Sequence, residues 1–274
     1  AKRKDTIFAL THNYSGYPLV RQAREMIREG GLGEVQAVRA TYLQGGLCGR
    51  EPGTPPARGA WKTDPAKAGN SGTLADIGTH AFHLIRFVTG LEPCEVACQL
   101  KSFWPQGRLD DYGHAILRFH NGALGTITVS QVTHGRLNDL SLEVDGSTGS
   151  IAWRQEEPDV LIVRRFGKPL EIYEKNPRVP LLHASSRRMC RLPGGHPEGV
   201  LEAFANVYQD CFDQMVTCAA GTATEPASSV YPNVYDGVAG VQFVEQCLAS
   251  SRENAAWKPL RVFPARSGLG NQRL

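Results

Sequence analysis

The sequence lacks several features that would place it in a specialised class of protein. No uninterrupted apolar run approaches the ~18–20 residues of a membrane span, and the first residues, 1–5, have none of the apolar stretch of a signal peptide. The 30 Lys and Arg are scattered among 27 Asp and Glu, which leaves a formal net charge of +3 and no basic stripe for a nucleic acid. We therefore expect a cytoplasmic protein with neither membrane nor nucleic-acid partners.

Paired cysteines and a recognisable phosphate-binding loop are also missing. The seven cysteines include no Cys-X-X-Cys pair, and three of them fall in helix-like apolar patterns where cysteine acts as a small apolar residue: Cys211, Cys218 and Cys247. The run Gly146-Ser-Thr-Gly149 matches neither of the common phosphate-loop patterns. Its place between two strand patterns predicts a turn.

A single βα unit opens the chain. The apolar run Thr6–Leu10 predicts a buried strand, and Pro18 with the apolar spacing after it predicts a helix that ends at Gly30. A strand of a parallel sheet is stable when both of its faces are covered within a larger sheet. We therefore expect this unit to be the end of a domain that lies upstream.

The remainder of the chain has the pattern of an α+β domain. A strand at 34–44 and a Gly- and Pro-rich loop at 45–71 precede a helix at 72–89, and seven strand patterns follow between residues 95 and 173. Asn121-Gly122 is a hairpin signal, and two long helices complete the chain near 197–221 and 233–250. The fold class predicted is α+β: the βα unit, then an open, mostly antiparallel sheet of six to eight strands packed with helices on one face.

The helix at 72–89 carries the strongest candidate for chemistry. At 100° per residue, an apolar stripe is separated by about 120° from a second stripe that contains Asp76, His80, His83 and Phe87. Asp76 and His80 are one turn apart, so a carboxylate could orient the imidazole as a general acid or base requires. A polar pair that only satisfies its own hydrogen bonds has the same spacing, so the pattern alone leaves both interpretations open.

The same stripe could be interpreted as a set of metal ligands, because it offers two histidines and a carboxylate. Asp76 and His83 are about 10 Å apart along the helix axis, which prevents all three side chains from binding one ion in an unbroken helix. We therefore predict no metal. A metal-dependent isomerase or hydrolase that uses His80 and His83 is kept as an alternative, to be tested by elemental analysis.

The run from Trp61 to His80 reads Trp-Lys-Thr-Asp-Pro-Ala-Lys-Ala-Gly-Asn-Ser-Gly-Thr-Leu-Ala-Asp-Ile-Gly-Thr-His. It resembles the second conserved block of the Gfo/Idh/MocA oxidoreductase family. The strand at 6–10, the turn at 30–33 and the run Gly194-Gly-His-Pro-Glu-Gly199 are similar to its other landmarks in order and spacing. In that family an N-terminal Rossmann domain binds NAD or NADP, and a C-terminal open-sheet domain supplies the substrate pocket and much of the oligomer contact.

The resemblance divides the chain into two parts. Residues 1–33 would be the C-terminal remnant of the dinucleotide-binding Rossmann domain, and residues 34–274 the substrate-binding and oligomerisation domain. The dinucleotide glycine motif and the Glu-Lys-Pro motif, whose lysine helps the proton transfer, occur nowhere in these residues. We expect both upstream, and we expect this chain alone to be inactive.

The resemblance also implies roles for particular residues. His80 would be the acid/base for the substrate hydroxyl with Asp76 as its partner, and Trp61 and Lys62 would line the substrate pocket beside the nicotinamide. Asn13 and Tyr14 would lie near the nicotinamide end of the cofactor, and His196 would be a further substrate-pocket residue, in the loop before the long helix.

The function implied is that of the substrate domain of a nicotinamide-dependent dehydrogenase, acting on a sugar, inositol or related polyol as a homo-oligomer that associates through the sheet face. The alternative is a non-catalytic binding or scaffolding protein with the same open-sheet domain.

Overall fold

The computed structural model describes residues 7–51, 54, 59–105, 107–178, 180–220 and 230–261. One nine-stranded sheet dominates them, with the order β8-β7-β6-β5-β1-β4-β3-β2-β9. Its strands are β1 (Val35–Leu43), β2 (Pro93–Lys101), β3 (Tyr112–Phe119), β4 (Leu124–Ser130), β5 (Asp139–Gly146), β6 (Gly149–Arg154), β7 (Val160–Arg165), β8 (Glu171–Glu174) and β9 (Lys258–Pro259). Every neighbouring pair is antiparallel except β1 and β4, which confirms the predicted α+β class with a mostly antiparallel sheet.

The turns that join these strands follow from local sequence. Asn121-Gly122 connects β3 to β4, with Gly122 at φ +85° and the Asn121 side-chain oxygen accepting a 3.2 Å bond from the amide of Ala123. A positive φ of this size is easily reached only by a residue without a Cβ. Residues 147–148 turn the chain between β5 and β6, as the sequence predicts.

Three of the helices pack on one face of this sheet. The helices are α1 (Pro18–Arg28), α2 (Pro65–Ala68), α3 (Thr79–Thr89), α4 (Ala184–Arg187), α5 (Val200–Ala219) and α6 (Val234–Arg252). Helix α6 packs on β2, α3 on β1 and β5, and α1 on β6 and β7, with α3 between the other two. The buried apolar side chains of α1, α3, α6 and the inner face of the sheet form one core.

Two predictions about elements differ from the structure. Residues 7–10 form only an isolated antiparallel bridge between Ala9 and Asn233 instead of a strand, and Thr6 lies outside the described residues. The long helix predicted near 197–221, α5, packs against the 3-10 turn Asn13–Gly16 and not on the sheet, where α1 lies beside α3 and α6. An apolar run becomes a strand only where another strand lies beside it, and the described residues supply none here.

Helix α5 also begins later than predicted, at Val200 instead of close to Pro197. The reason is that Glu198 forms a buried ion pair with Lys175, which holds Glu198 outside the helix. The distance from Nζ of Lys175 to Oε1 of Glu198 is 2.9 Å. The same oxygen accepts hydrogen bonds from the main-chain amides of Arg191, at 2.8 Å, and Leu192, at 2.6 Å. No helix in the described part of the chain is both long and apolar enough to cross a bilayer.

Candidate active site

The helix that carries the candidate residues begins with a π turn, Leu74–Gly78, before it continues as α3. Asp110, in the loop before β3, caps its start: the carboxylate accepts the amides of Gly72 at 2.7 Å and Leu74 at 2.8 Å. A Cβ at Gly78 would lie 2.8 Å from Cδ1 of Leu74, so any side chain there would require Leu74 to shift. π turns are rare and often lie at functional sites.

Asp76 forms an ion pair with Lys62. Nζ of Lys62 donates to both carboxylate oxygens, at 2.7 and 2.8 Å, and lies 5.9 Å from the ring centre of Trp61, which is itself exposed. In the described structure no hydrogen bond joins Asp76 to His80, although the two residues are four apart in sequence. The carboxylate therefore acts on His80 through its charge, and its oxygens position the Lys62 ammonium.

His80 is half-buried where α3 approaches the N-terminal segment. Its Nδ1 lies 3.1 Å from Nδ1 of His12, and its ring meets the ring of Tyr14 edge-on at 5.2 Å. Burial lowers the pKa of His80 from 6.5 to about 4, against the opposing charge of Asp76 and with a small further lowering from Lys62. The imidazole is therefore neutral at pH 7 and able to accept a proton.

A network of neutral polar side chains extends from Tyr14 across the sheet. The hydroxyls of Tyr14 and Tyr42 share a hydrogen bond, Tyr42 donates to Oδ1 of Asn138 at 2.7 Å, and Nδ2 of Asn138 lies 3.3 Å from the Tyr14 hydroxyl. Gln44 also donates to Oδ1 of Asn138, at 2.6 Å. Burial and the adjacent Tyr14 raise the pKa of Tyr42, so its hydroxyl keeps its proton. These bonds fix side chains that can donate to or accept from a ligand hydroxyl.

An open cleft of about 560 Å³ is lined by Trp61, Lys62 and Asp76 and by Gln44 of the polar network. Its volume lies within the range of about 300–1,000 Å³ usual for small-molecule sites. Gln44 links the cleft to the polar network through its bond to Asn138, and Asp76 lies one turn before His80 on the helix that carries both.

Comparison with known proteins identifies the fold. Residues 20–152 match the model of the GFO/IDH/MocA C-terminal domain. The chain belongs to the GFO/IDH/MocA family. Among curated relatives of this family, it is 29% identical over 261 residues to the uncharacterized oxidoreductase YfiI of Bacillus subtilis, covering 94% of this chain and 65% of YfiI.

Two further relatives have names that describe ligands. A solved inositol dehydrogenase homolog of Azotobacter vinelandii, complexed with NADH and myo-inositol, is 29% identical with a TM-score of 0.82, over 92% of this chain and 64% of that one. A levoglucosan dehydrogenase of Pseudarthrobacter phenanthrenivorans is 30% identical over 59% of this chain and 46% of its own length. The chain spans about 65% of the length of the first relatives that it matches.

Most of the residues that the family resemblance singles out lie together in the structure. Trp61, Lys62 and Asp76 line the cleft, and the rings of Tyr14 and His80 are in contact with each other. His196 is exposed on the loop before α5, where its main-chain carbonyl accepts a 2.7 Å bond from Lys175. None of the described contacts joins its imidazole to the cleft, so a role for it stays a prediction.

Asn13 occupies a different kind of position. It is 4% exposed in the 3-10 turn Asn13–Gly16, and its Nδ2 has no hydrogen-bonding partner within the described structure. Buried amide donors are nearly always paired, so an unpaired one indicates a ligand or group that belongs there. A place for Asn13 beside a cofactor stays a prediction.

Sequence reasoning missed four residues of the site: His12, Tyr42, Gln44 and Asn138. Tyr42 could have been found, because the alternation of β1 points it to the inner face of the sheet. His12 and Asn138 meet their partners across 68 and 124 residues of sequence, and no local pattern reports such contacts.

The lowered pKa of His80 predicts a pH dependence of stability. Between about pH 6.5 and pH 4 the unfolded chain binds a proton at His80 that the folded chain excludes, so the free energy of unfolding falls as the pH falls through this window. The contribution between pH 7 and pH 5 is about 2 kcal/mol. Urea unfolding at both pH values should show a smaller loss for His80→Asn than for the wild type. Equal losses of unfolding free energy in the two proteins would contradict the lowered pKa of His80.

Proposed function

We propose that this chain is the substrate-binding part of a nicotinamide-dependent dehydrogenase that oxidises a secondary hydroxyl of a sugar, inositol or related polyol. The observation that carries the proposal is the neutral imidazole of His80 one helical turn after Asp76, which lines a polar cleft. Oxidation of an alcohol requires a base near the hydroxyl, and a neutral imidazole meets that requirement at pH 7. In this role His80 takes the hydroxyl proton.

The cleft has the chemistry of a site for a ligand rich in hydroxyls. Lys62 supplies donors, Asp76 supplies acceptors, and the amides of Gln44 and Gln131 supply both. Each hydroxyl of a polyol both donates and accepts, so mixed groups of this kind satisfy it better than an apolar pocket would. The names of the two relatives with myo-inositol and levoglucosan support the same class.

A nicotinamide cofactor, NAD or NADP, would accept the hydride in this reaction. Of the residues present, Asn13 fits such a group through its unpaired buried Nδ2, and Tyr14 lies next to it in the same 3-10 turn with its ring against His80. We propose that residues 1–33 complete a dinucleotide-binding domain and that residues 34–274 form the substrate domain. The relatives solved with NAD+ or NADH support a nicotinamide.

The proposal is tested by assaying the full-length protein for nicotinamide reduction. A panel should contain inositols, levoglucosan and aldoses, each with NAD and with NADP. We expect reduction with at least one cyclic polyol or sugar, and loss of that reduction in the His80→Ala variant. Ligand binding without turnover on the whole panel would instead favour the non-catalytic binding protein.

We further propose that the outer face of the sheet associates with a second copy of the chain. All helices that contact the sheet in the described structure lie on the other face, and the strands alternate buried with exposed residues. The exposed side carries charges of both signs, with Arg39 bonded to Glu143 at 2.8 Å and Asp145 at 2.7 Å, which allows self-complementary contacts.

Sedimentation at tens of micromolar should therefore show a dimer or larger species. Arg39→Glu should weaken association, because it places three like charges together on the face. A wild-type monomer at these concentrations would contradict the proposal.

A further inference from the structure

Three imidazole rings meet where the N-terminal segment approaches α3. His12, the residue before the 3-10 turn Asn13–Gly16, stacks on His83 with ring centres 4.5 Å apart and planes at 8°. It meets His80 edge-on, with ring centres 4.8 Å apart and planes at 89°. This arrangement aims the Nδ1 atoms of His12 and His80 at each other across 3.1 Å.

The distance between the two nitrogens restricts where the hydrogens lie. In a neutral pair, one Nδ1 must carry a hydrogen and the other a lone pair, because two lone pairs or two N–H groups would repel at hydrogen-bonding distance. Nε2 of His80 has no hydrogen-bonding partner among the described residues. A His80 that donates from Nδ1 keeps its lone pair on Nε2, the atom left to meet a ligand.

We propose that His12 is a positioning residue that accepts the Nδ1 hydrogen of His80 and so holds His80 in the tautomer whose Nε2 can act as a base. This inference rests on the proposed function, since it assigns the partner of the proposed base. A carboxylate commonly fixes the tautomer of a catalytic histidine. Here both oxygens of Asp76 accept hydrogen bonds from Lys62. His12 takes the place of the carboxylate as the hydrogen-bonding partner of His80.

The His12–His80 pair remains joined throughout the proton transfer. The hydroxyl proton of the substrate moves to Nε2 of His80, and the resulting imidazolium still donates from Nδ1 to the lone pair of His12. Asp76 and Lys62 place opposite charges near His80, while the Tyr14 ring edge and the stacked His83 ring border the pair. If His12 itself were protonated, it would donate to His80 and force the hydrogen onto Nε2, which removes the base.

The test compares two variants of His12. His12→Phe retains a ring that can stack on His83 and removes the acceptor, whereas His12→Asn loses the ring and can place its side-chain oxygen where Nδ1 was. Long-range ¹H–¹⁵N NMR correlations should show Nδ1–H and a bare Nε2 for His80 in the wild type and in His12→Asn. In His12→Phe the hydrogen should move to Nε2. A wild-type His80 protonated on Nε2, or a tautomer unaffected by His12→Phe, overturns the proposal.

Kinetics separate this proposal from the proposed function. In the full-length protein, His12→Phe should lower kcat by about 10–100-fold with the KM for the nicotinamide unchanged, and His12→Asn should recover most of that loss. If the tautomers behave as expected and no sugar or polyol is oxidised, the proposed function fails while the His12–His80 pair stands. If His80-dependent oxidation occurs and His12→Phe keeps the wild-type kcat, the pair has no positioning role. Should His12→Phe fail to fold, the wild-type and His12→Asn spectra still decide the tautomer.

Discussion

His80→Ala is expected to lower kcat for the oxidation of the true substrate by about 10²–10⁴-fold in the full-length protein, the usual contribution of general acid–base catalysis. The imidazole lies one helical turn after Asp76, which lines the cleft, and burial keeps the imidazole neutral at pH 7 by lowering its pKa to about 4. Under the proposed function, alanine removes the proton acceptor and changes neither Asn13 nor Tyr14, the residues proposed to lie near the cofactor. Steady-state kinetics together with a nicotinamide titration measure both effects, and the Kd for the nicotinamide should be nearly unchanged.

Substitutions at His120, Asp76 and His83 are the controls for this prediction. His120→Ala changes an exposed histidine in the turn after β3 and should keep wild-type turnover. Asp76→Asn should cost less than His80→Ala, because it weakens the hold on Lys62 and the charge near His80 without removing the base. The assignment of His80 would be wrong if His80→Ala kept near wild-type turnover, or if His83→Ala were the more damaging change.

Arg86→Met should destabilise the fold by about 3–5 kcal/mol, the usual cost of breaking a buried ion pair by removing one partner. The Arg86 guanidinium, on α3, donates to both oxygens of Glu92 at 2.7 Å and to Oδ1 of Asp236, on α6, at 3.0 Å. The Arg86 and Asp236 side chains are 7% and 3% exposed. Methionine fills a similar volume but leaves two carboxylates in the interior without this cation. Urea unfolding monitored by circular dichroism measures the loss.

The matched control is Arg108→Met. Arg108 reaches Asp64 at 3.8 Å and its side chain is 71% exposed, so solvent screens this pair and its loss should cost less than about 1 kcal/mol. Because Arg86 joins α3 to α6, its substitution should also loosen the helix that carries His80. Equal stabilities of the two variants would show that the Arg86 pairs contribute no more than a surface contact.

Much of the fold was predictable because its signals are local. Strand alternation, the Asn121-Gly122 turn and the apolar stripe of α3 depend on residues a few positions apart, and the structure contains all three. The strand predicted at 6–10 was wrong for residues 7–10, because strand formation depends on a neighbour that local sequence does not specify. The later start of α5 has a similar cause, since Lys175 lies 23 residues before Glu198.

The residues of the candidate site likewise divide into those that the sequence indicated and contacts that it could not show. Asp76 and His80 were found from helical spacing, while Trp61, Lys62, Asn13, Tyr14 and His196 came from the family motif. The sequence could not show that Asp76 is engaged by Lys62, because the π turn and the loop at 60–63 that bring them together lie outside regular periodicity. It could not show that His12 lies against His80, because that contact closes a loop of 68 residues.

The sequence by itself determined the class of the protein: the order of the long helices and of most strands, the α+β architecture, the Asp-Xaa-Gly-Xaa-His motif and, through it, the family. Only the tertiary structure decided which side chains face one another at the site. Helix and strand periodicities are set by backbone geometry that repeats every few residues. Ion pairing, tautomer and pKa depend on desolvation and on charges from distant segments, and these exist only after the chain has folded.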